Sequence, residues 1–405
     1  MKIIISHPTG NQFVKFATKA LLESNILDKY LTGIAVRESS TIVRVIKEFG
    51  RRGISKDLHV KTQGNPYREL GRHLFNKIGI PYLTRHEVGY FSVDQVYRQH
   101  DIFTSKHLDN QDAVYAYEDG ALETFRKAKQ LGIKTIYDLP IAYWEHGHAL
   151  MKEEAKRLPD WANTLGGGIH DSKQKLERKT KELELADVVV VPSTFVYDSL
   201  PRWAKEKEII LSPFGSPEIS VSDEVILERK KRIDKPLRVL FAGSMGQRKG
   251  LGDLFEAIRQ VDSKQIELVV MGSLLESMSF YKQKCPDFTY EKGRPHHEVL
   301  ELMQTCDVFC LPSIVEGRAL VMQEAMSQGL PLIITPNTGG EDLVIEGETG
   351  FLVPIRQPES IAKKLNWCLA NRDQLVEMGV KAKNHASNYT WEKYGETIVS
   401  KLYAG

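Results

Sequence analysis

The run Val188-Val189-Val190-Val191 has no polar face. A strand of that kind persists where both faces of its sheet are covered, the usual condition of a parallel sheet flanked by helices. A helical stretch, Ser172–Ala186, leads into it, and Pro192-Ser193 ends it. The same alternation runs through the first half. Strands are expected at Lys2–Ser6, Leu31–Val36, Ala113–Tyr117, Lys134–Leu139 and Ile209–Pro213, with helices from Gln12 to Ser24 and from Asp119 to Leu131. Residues 40–110 read as polar and helix-rich.

The alternation then restarts. Residues 216–236 are charged and read as an interdomain linker. Beyond them come strands at Arg238–Ala242, Ile266–Met271, Val308–Leu311 and Leu332–Thr335, with helices at Lys249–Val261, Pro295–Thr305 and residues 319–328. Strands separated by helices imply parallel sheets with right-handed crossovers. The expected fold is therefore α/β, with two doubly wound Rossmann-like domains facing a central cleft. Its parts are a first domain (1–215), the linker (216–236), a second domain (237–385) and a C-terminal helix (386–405) packing back on the first domain. Ligands in such sheets bind beyond the carboxyl ends of the strands.

Composition narrows the partners. A chain of 405 residues suits two cores better than one. Its net charge of +2 makes no general demand for nucleic acid. The charge is uneven, however: residues 1–85 hold 15 Lys/Arg against 6 Asp/Glu. That region could face an anionic membrane surface or acceptor, or be a solvated face. Arg44, Lys47 and Arg51 share one face of an expected helix, which hints at an acceptor on a lipid carrier. Four cysteines do not make a disulfide framework, and Cys306 and Cys310 flank a strand as expected buried thiols. No signal peptide or membrane-length apolar run is apparent, so a cytoplasmic protein is expected, with peripheral contact at the inner membrane face left open.

Two stretches carry chemistry. In Phe241–Gly250 a strand meets a loop with Gly243, Ser244 and Gly246, then Arg248-Lys249 and a helix start. Glycine lets backbone approach a ligand, and the two cations would neutralise a diphosphate. In Pro312–Phe351, Glu316 precedes a helix and Glu324 lies within it. The eight-residue spacing is uninformative by itself, since Glu145 and Glu153 share it. The flanks decide: Pro312-Ser313, Glu324-Ala325-Met326, Gly329-Leu330-Pro331 and Thr349-Gly350-Phe351. Glu316 is placed near the sugar of a bound nucleotide-sugar. The amides of Gly317, Arg318, Ala319, Leu320 and Val321 face its diphosphate, and Glu324 accepts the ribose hydroxyls.

Residues 238–356 resemble the carboxyl-terminal domain of family 4 retaining glycosyltransferases with the GT-B fold (glycosyl transferases group 1). The resemblance runs through Gly243, Lys249-Gly250, Met271-Gly272, Gly293, Asp307-Val308-Phe309, Pro312-Ser313, Glu316-Gly317, Glu324-Ala325-Met326, Gly329-Leu330-Pro331, Gly339-Gly340 and Gly350-Phe351. The first half fits more loosely, through Gly10, Ala186-Asp187 and Pro192-Ser193. The resemblance implies transfer of a sugar, of hexosyl type, from a nucleoside-diphosphate sugar to a saccharide or lipid-linked acceptor, without a metal or other cofactor. Such transfer fits cell-surface polysaccharide or glycolipid assembly. No Asp-x-Asp metal motif occurs. Lys249 and Glu316 would carry the catalysis, with Arg248 on the diphosphate and backbone near Gly293-Arg294 on the base. Other readings are a different nucleotide-sugar enzyme of this fold, such as an epimerase, or a non-catalytic nucleotide-sugar-binding protein.

The chain departs from the family where Ser244 stands in place of an arginine, and where Arg318-Ala319 follow Glu316-Gly317. Arg318 could add charge near the diphosphate or the acceptor. Where many members carry a histidine at the end of a strand, this one ends Asp138-Leu139-Pro140. Asp138 could face the donor sugar, or His146 or His148 could reach in from the following segment. Gly10 and Asn11, after the first strand, either approach the diphosphate or acceptor or form an ordinary capped turn.

Overall fold

The computed structural model describes residues 1–37, 53–218, 221–261 and 263–404; the helix expected around Arg44–Arg52 lies outside them. The first half holds β1 (Ile3–His7), β2 (Leu27–Thr32), a separate short pair of β3 (Val36–Arg37) and β4 (Gly53–Ile54), then β5 (Thr62–Gly64), β6 (Ala113–Tyr117), β7 (Lys134–Asp138), β8 (Val188–Val191) and β9 (Glu208–Leu211). Seven of them form one sheet in the order β5-β2-β1-β6-β7-β8-β9, with every pairing parallel. All four valines of β8 are buried, because apolar clusters cover both faces of the sheet. The second half holds β10 (Leu237–Ala242), β11 (Ile266–Met271), β12 (Thr289–Glu291), β13 (Val308–Leu311), β14 (Leu332–Ile334) and β15 (Gly350–Leu352). These make a second parallel sheet, β12-β11-β10-β13-β14-β15.

Both orders reverse direction once, between β1 and β6 and between β10 and β13. The loops leaving those strands must diverge to opposite sides, which opens a crevice at each carboxyl end. The loops after β1 and β6 carry Gly10 and Glu118. Those after β10 and β13 carry Lys249 and Glu316.

Three segments differ from the sequence reading. The second strand begins at Leu27, earlier than expected, because Asp28 is bonded to Gln111 (2.9 Å) and so can sit in a strand. Strand β5 is polar and lies at the sheet edge, so it has no apolar pattern to find. The charged stretch 216–236 folds into a helix, Asp223–Leu227, and a 3-10 turn, Glu228–Arg232. It is docked on the second half: Ile226 is fully buried, and Arg229 donates to the carbonyls of Gln328 (2.8 Å) and Gly329.

The closing helix, Trp391–Ala404, packs on the first half. Trp391, Tyr394 and Ile398 join its core beside Phe214, and Phe16 stacks on Trp391 at 4.8 Å. All four cysteines are buried free thiols. Among the described residues no helix is long and apolar enough to cross a membrane.

Candidate active site

The loop after β10 is shaped by what its glycines leave out. Gly243 has φ 147°, and a Cβ there would lie 2.7 Å from Cδ of Lys249. The lysine chain therefore runs across the bare glycine toward the next loop. Gly250, at φ 72°, packs against the Pro312 carbonyl, where a Cβ would come within 2.0 Å. Ile314 donates its amide to the Arg248 carbonyl at 2.8 Å, tying the two loops together.

Glu316 is thereby held between two cations. Its Oε1 lies 2.6 Å from Lys249 Nζ and 3.0 Å from Arg248 Nη1, which also donates to the Val315 carbonyl at 2.9 Å. Burial alone would raise the carboxyl pKa. The charges of Lys249 and Arg248 outweigh it and hold Glu316 below the usual carboxylate range. The site thus stays ionised, with two positive charges and one negative.

Glu324 lies on the helix Leu320–Ser327, with Oε1 3.1 Å from His296 Nε2. Sequence reading missed His296; its signal was its place just after Gly293-Arg294 and β12. Gly293 is exposed, and Arg294 is ion-paired with Glu291 at the end of β12. Of the amides expected to face a diphosphate, that of Ala319 donates to Thr338 O at 3.2 Å and is therefore engaged. Those of Leu320 and Val321 occupy the first helical turn, where amides have no intrahelical acceptor. Ser244 is half-buried, and its carbonyl accepts from Gly246 N at 2.8 Å.

The first half meets this site directly. A Cβ on Gly317 would lie 1.7 Å from the Pro140 carbonyl, and Ser193 Oγ donates to Gly317 O at 2.6 Å. Pro140 also lines a cavity of about 330 Å³. Its lining includes His7, Asn11, Asp94, Tyr97, Glu118 and Lys175. His7, the last residue of β1, accepts the amides of Thr9 and Gly10 at Nδ1 (3.2 and 2.9 Å), so its proton resides on Nε2. That nitrogen is 3.4 Å from the Tyr97 hydroxyl. Gly10 has φ 55°, and Asn11 caps the following helix by accepting from Val14 N at 3.0 Å. Among the described residues one trio, His86, Glu87 and Asp171, brings metal-ligand atoms within 4.8 Å of one another. Its carboxylates already bind Lys175 and the Ser172 amide, as in an ion-pair network.

A sequence model of the family "Glycosyl transferases group 1" matches residues 223–385. The D-inositol 3-phosphate glycosyltransferase of Corynebacterium efficiens is 33% identical over 295 residues, covering 67% of each chain. The chain belongs to the group 1 glycosyl transferases. The enzyme of the same name from Corynebacterium diphtheriae is 23% identical over 393 residues, 89% of this chain and 87% of its own. The crystal structure of Anabaena Alr3699/HepE in complex with UDP superposes over 100% of both chains with a TM-score of 0.63 at 16% identity. The fold is accordingly GT-B, two Rossmann-like halves around a cleft.

Within this group 1 glycosyl transferase, two sequence expectations are corrected. Asp138 does not open on the cleft. Its side chain is 1% exposed and accepts the Tyr115 hydroxyl at 2.5 Å inside the first core. Burial raises its pKa to about 7 and the Tyr115 hydrogen bond lowers it, with burial prevailing. Arg318 adds no charge to the cleft: it is buried and bonded to Asp342 (2.6 Å), the Gly339 carbonyl and Gln323 (both 3.0 Å). It braces the Glu316 loop from behind. His146 is exposed, with its ring 5.8 Å from that of Phe195. His148 lines a second cavity, of about 240 Å³, with Arg248 and Val315, so it shares a wall with the cationic loop.

A further group escaped sequence reading. Gln247 is fully buried and donates to Glu154 (2.7 Å) and Asp253 (2.8 Å), while its amide donates to Thr164 Oγ1 (2.9 Å). Glu154 also accepts from Arg356 Nε at 2.8 Å and from Arg157. Trp161 inserts into the second core beside Phe255 and Tyr281. Residues 144–165 of the first half thus fix the Arg248-Lys249 loop from outside.

Proposed function

We propose that the protein transfers a sugar from a nucleoside-diphosphate sugar to an acceptor hydroxyl, with retention at the anomeric carbon and without a bound metal, in cell-surface polysaccharide or glycolipid assembly. The observation that carries this reading is the Lys249–Glu316–Arg248 cluster at the β10/β13 switch point, beside the first turn of Leu320–Ser327. In this reading Lys249, Arg248 and the Leu320 and Val321 amides stabilise the diphosphate as the bond from C1 to its oxygen breaks. The acceptor oxygen bonds to C1 on the same face, and its proton passes to the leaving phosphate. Glu316 keeps the cations aligned and accepts a sugar hydroxyl. Glu324 accepts the ribose diol, oriented by His296. The UDP held by the Anabaena relative supports the nucleotide class.

The test is incubation of the purified protein with common nucleotide-sugars, with and without chelator. Transfer, or slow donor hydrolysis, in the presence of chelator is expected. Nucleoside-diphosphate binding with neither reaction would make the protein a binding protein. Binding with epimerised donor would make it an epimerase.

A further inference from the structure

Ten of the 21 large apolar side chains exposed among the described residues fall between Val60 and Val93. Their arrangement is regular. On the helix Tyr67–Lys77 and its C-cap Ile78, the exposed residues Tyr67, Leu70, Leu74 and Ile78 follow at steps of three, four and four. They form one stripe directed to solvent. The helix is seated by its other side. The Phe91 ring occupies the space a Cβ on Gly71 would take (2.2 Å), Phe75 stacks on Phe91 at 4.9 Å, and Glu69 is fully buried against Gly33. The stripe cannot turn inward without undoing those contacts. Tyr82, 77% exposed, continues it on the following turn, Pro81–Thr84.

Within residues 58–93 the exposed Lys, Arg, Asp and Glu side chains are all positive. Residues 58–93 contain five Lys/Arg, and their two acids, Glu69 and Glu87, are not exposed. Lys77 and Arg85 are exposed, each three residues on from Leu74 and Tyr82 respectively. An apolar stripe with exposed cations at Lys77 and Arg85 is suited to an interface with an apolar interior and an anionic surface. The same segment reaches the cavity of the first half, which His86, Val93 and Asp94 help to line.

We propose that the helix Tyr67–Lys77 and the turn Pro81–Thr84 dock on an anionic lipid bilayer, with Leu70, Leu74, Ile78 and Tyr82 entering the headgroup–acyl boundary and Lys77 and Arg85 contacting acidic headgroups. Docking in this way sets the cavity beside the membrane surface. If that cavity takes the acceptor (a step that rests on the function proposed above), the acceptor arrives there from the bilayer.

The experiment is flotation of the full chain with vesicles of phosphatidylcholine alone or with phosphatidylglycerol, at about 50 and 300 mM salt, the range over which surface charge becomes screened. Wild type is expected to float with the phosphatidylglycerol vesicles at low salt. Leu74→Gln with Ile78→Gln should lower that partition at least about tenfold, with unchanged melting temperature and donor hydrolysis. Lys77→Glu with Arg85→Glu should lower it about as much and remove the salt dependence. No flotation of wild type, equal flotation with phosphatidylcholine alone, or retention of binding by both double variants would overturn the proposal. So would a dimer in light scattering that Leu74→Gln with Ile78→Gln dissolves, since the stripe would then be a contact between copies. Vesicle binding by a protein that neither transfers nor hydrolyses donor would sink the catalytic reading and leave this one standing.

Discussion

Gly317→Ala isolates what the contact between the two halves does for turnover. The added Cβ would lie 1.7 Å from the Pro140 carbonyl oxygen and 2.9 Å from Cα of Ile141, whereas Cβ contacts in proteins stay beyond 3.0 Å. These neighbours are backbone, which cannot rotate away as a side-chain tip can. The loops must part by more than about 1 Å, and a misplacement of that size costs about 100-fold in turnover when reacting groups come from opposite sides. Glu316 would move with its loop, but Lys249 and Arg248 sit on the same half and would move with it. Donor affinity should therefore change little while kcat falls about 100-fold. Ser193→Ala is the control. It removes the hydrogen bond to Gly317 O without adding an atom, a loss of about 1 kcal/mol or at most tenfold. Steady-state kinetics with a responsive donor, and calorimetry with the nucleoside diphosphate, separate the two effects. A kcat for Gly317→Ala within threefold of wild type would refute the reasoning, as would a loss of donor affinity equal to the loss of kcat.

Three other outcomes are expected. Lys249→Met leaves the buried Glu316 with Arg248 as its remaining cation, so its pKa rises, and the acid limb of the pH–rate profile should move to higher pH with reduced turnover. An unmoved acid limb would detach Glu316 from catalysis. Glu324→Ala removes a charged acceptor and should weaken nucleoside-diphosphate binding by about 10- to 100-fold in calorimetry, and unchanged affinity would remove it from the ribose role. Asp138→Asn should stabilise the protein at alkaline relative to acid pH. The folded pKa of Asp138, about 7, is raised from an ordinary 3.8. The wild type thus loses stability as pH climbs through that window, by up to about 4 kcal/mol, and keeps it below pH 4. Melting curves at pH 5 and pH 8 test this, and a wild-type-minus-variant difference that does not change with pH would contradict it.

What the sequence disclosed and what it hid divide along a physical line. The uniform valines of β8 and the alternation around it report burial on both sheet faces, which is a local pattern, and the doubly wound halves follow from it. Glycines and a helix start within the same few residues set the placement of Lys249, Glu316 and Glu324 after β10 and β13. Asp138 and Arg318 were misjudged because each is charged and close in sequence to the cleft, while the sign of burial is decided by distant partners. Tyr115 lies 23 residues from Asp138, and Asp342 lies 24 from Arg318. The same holds for Glu154. Nothing in residues 144–165 announces that its carboxylate will accept Gln247, 93 residues on, and Arg356, 202 residues on. Charges that build the frame and charges that line the cleft have the same composition. Only the three-dimensional pairing tells them apart, and here that pairing assigns Glu154, Arg318 and Arg356 to the frame and leaves Lys249, Arg248 and Glu316 facing one another at the switch point. A substitution in the first set should therefore act on the cleft through stability and closure, whereas one in the second also changes the charge at the switch point itself.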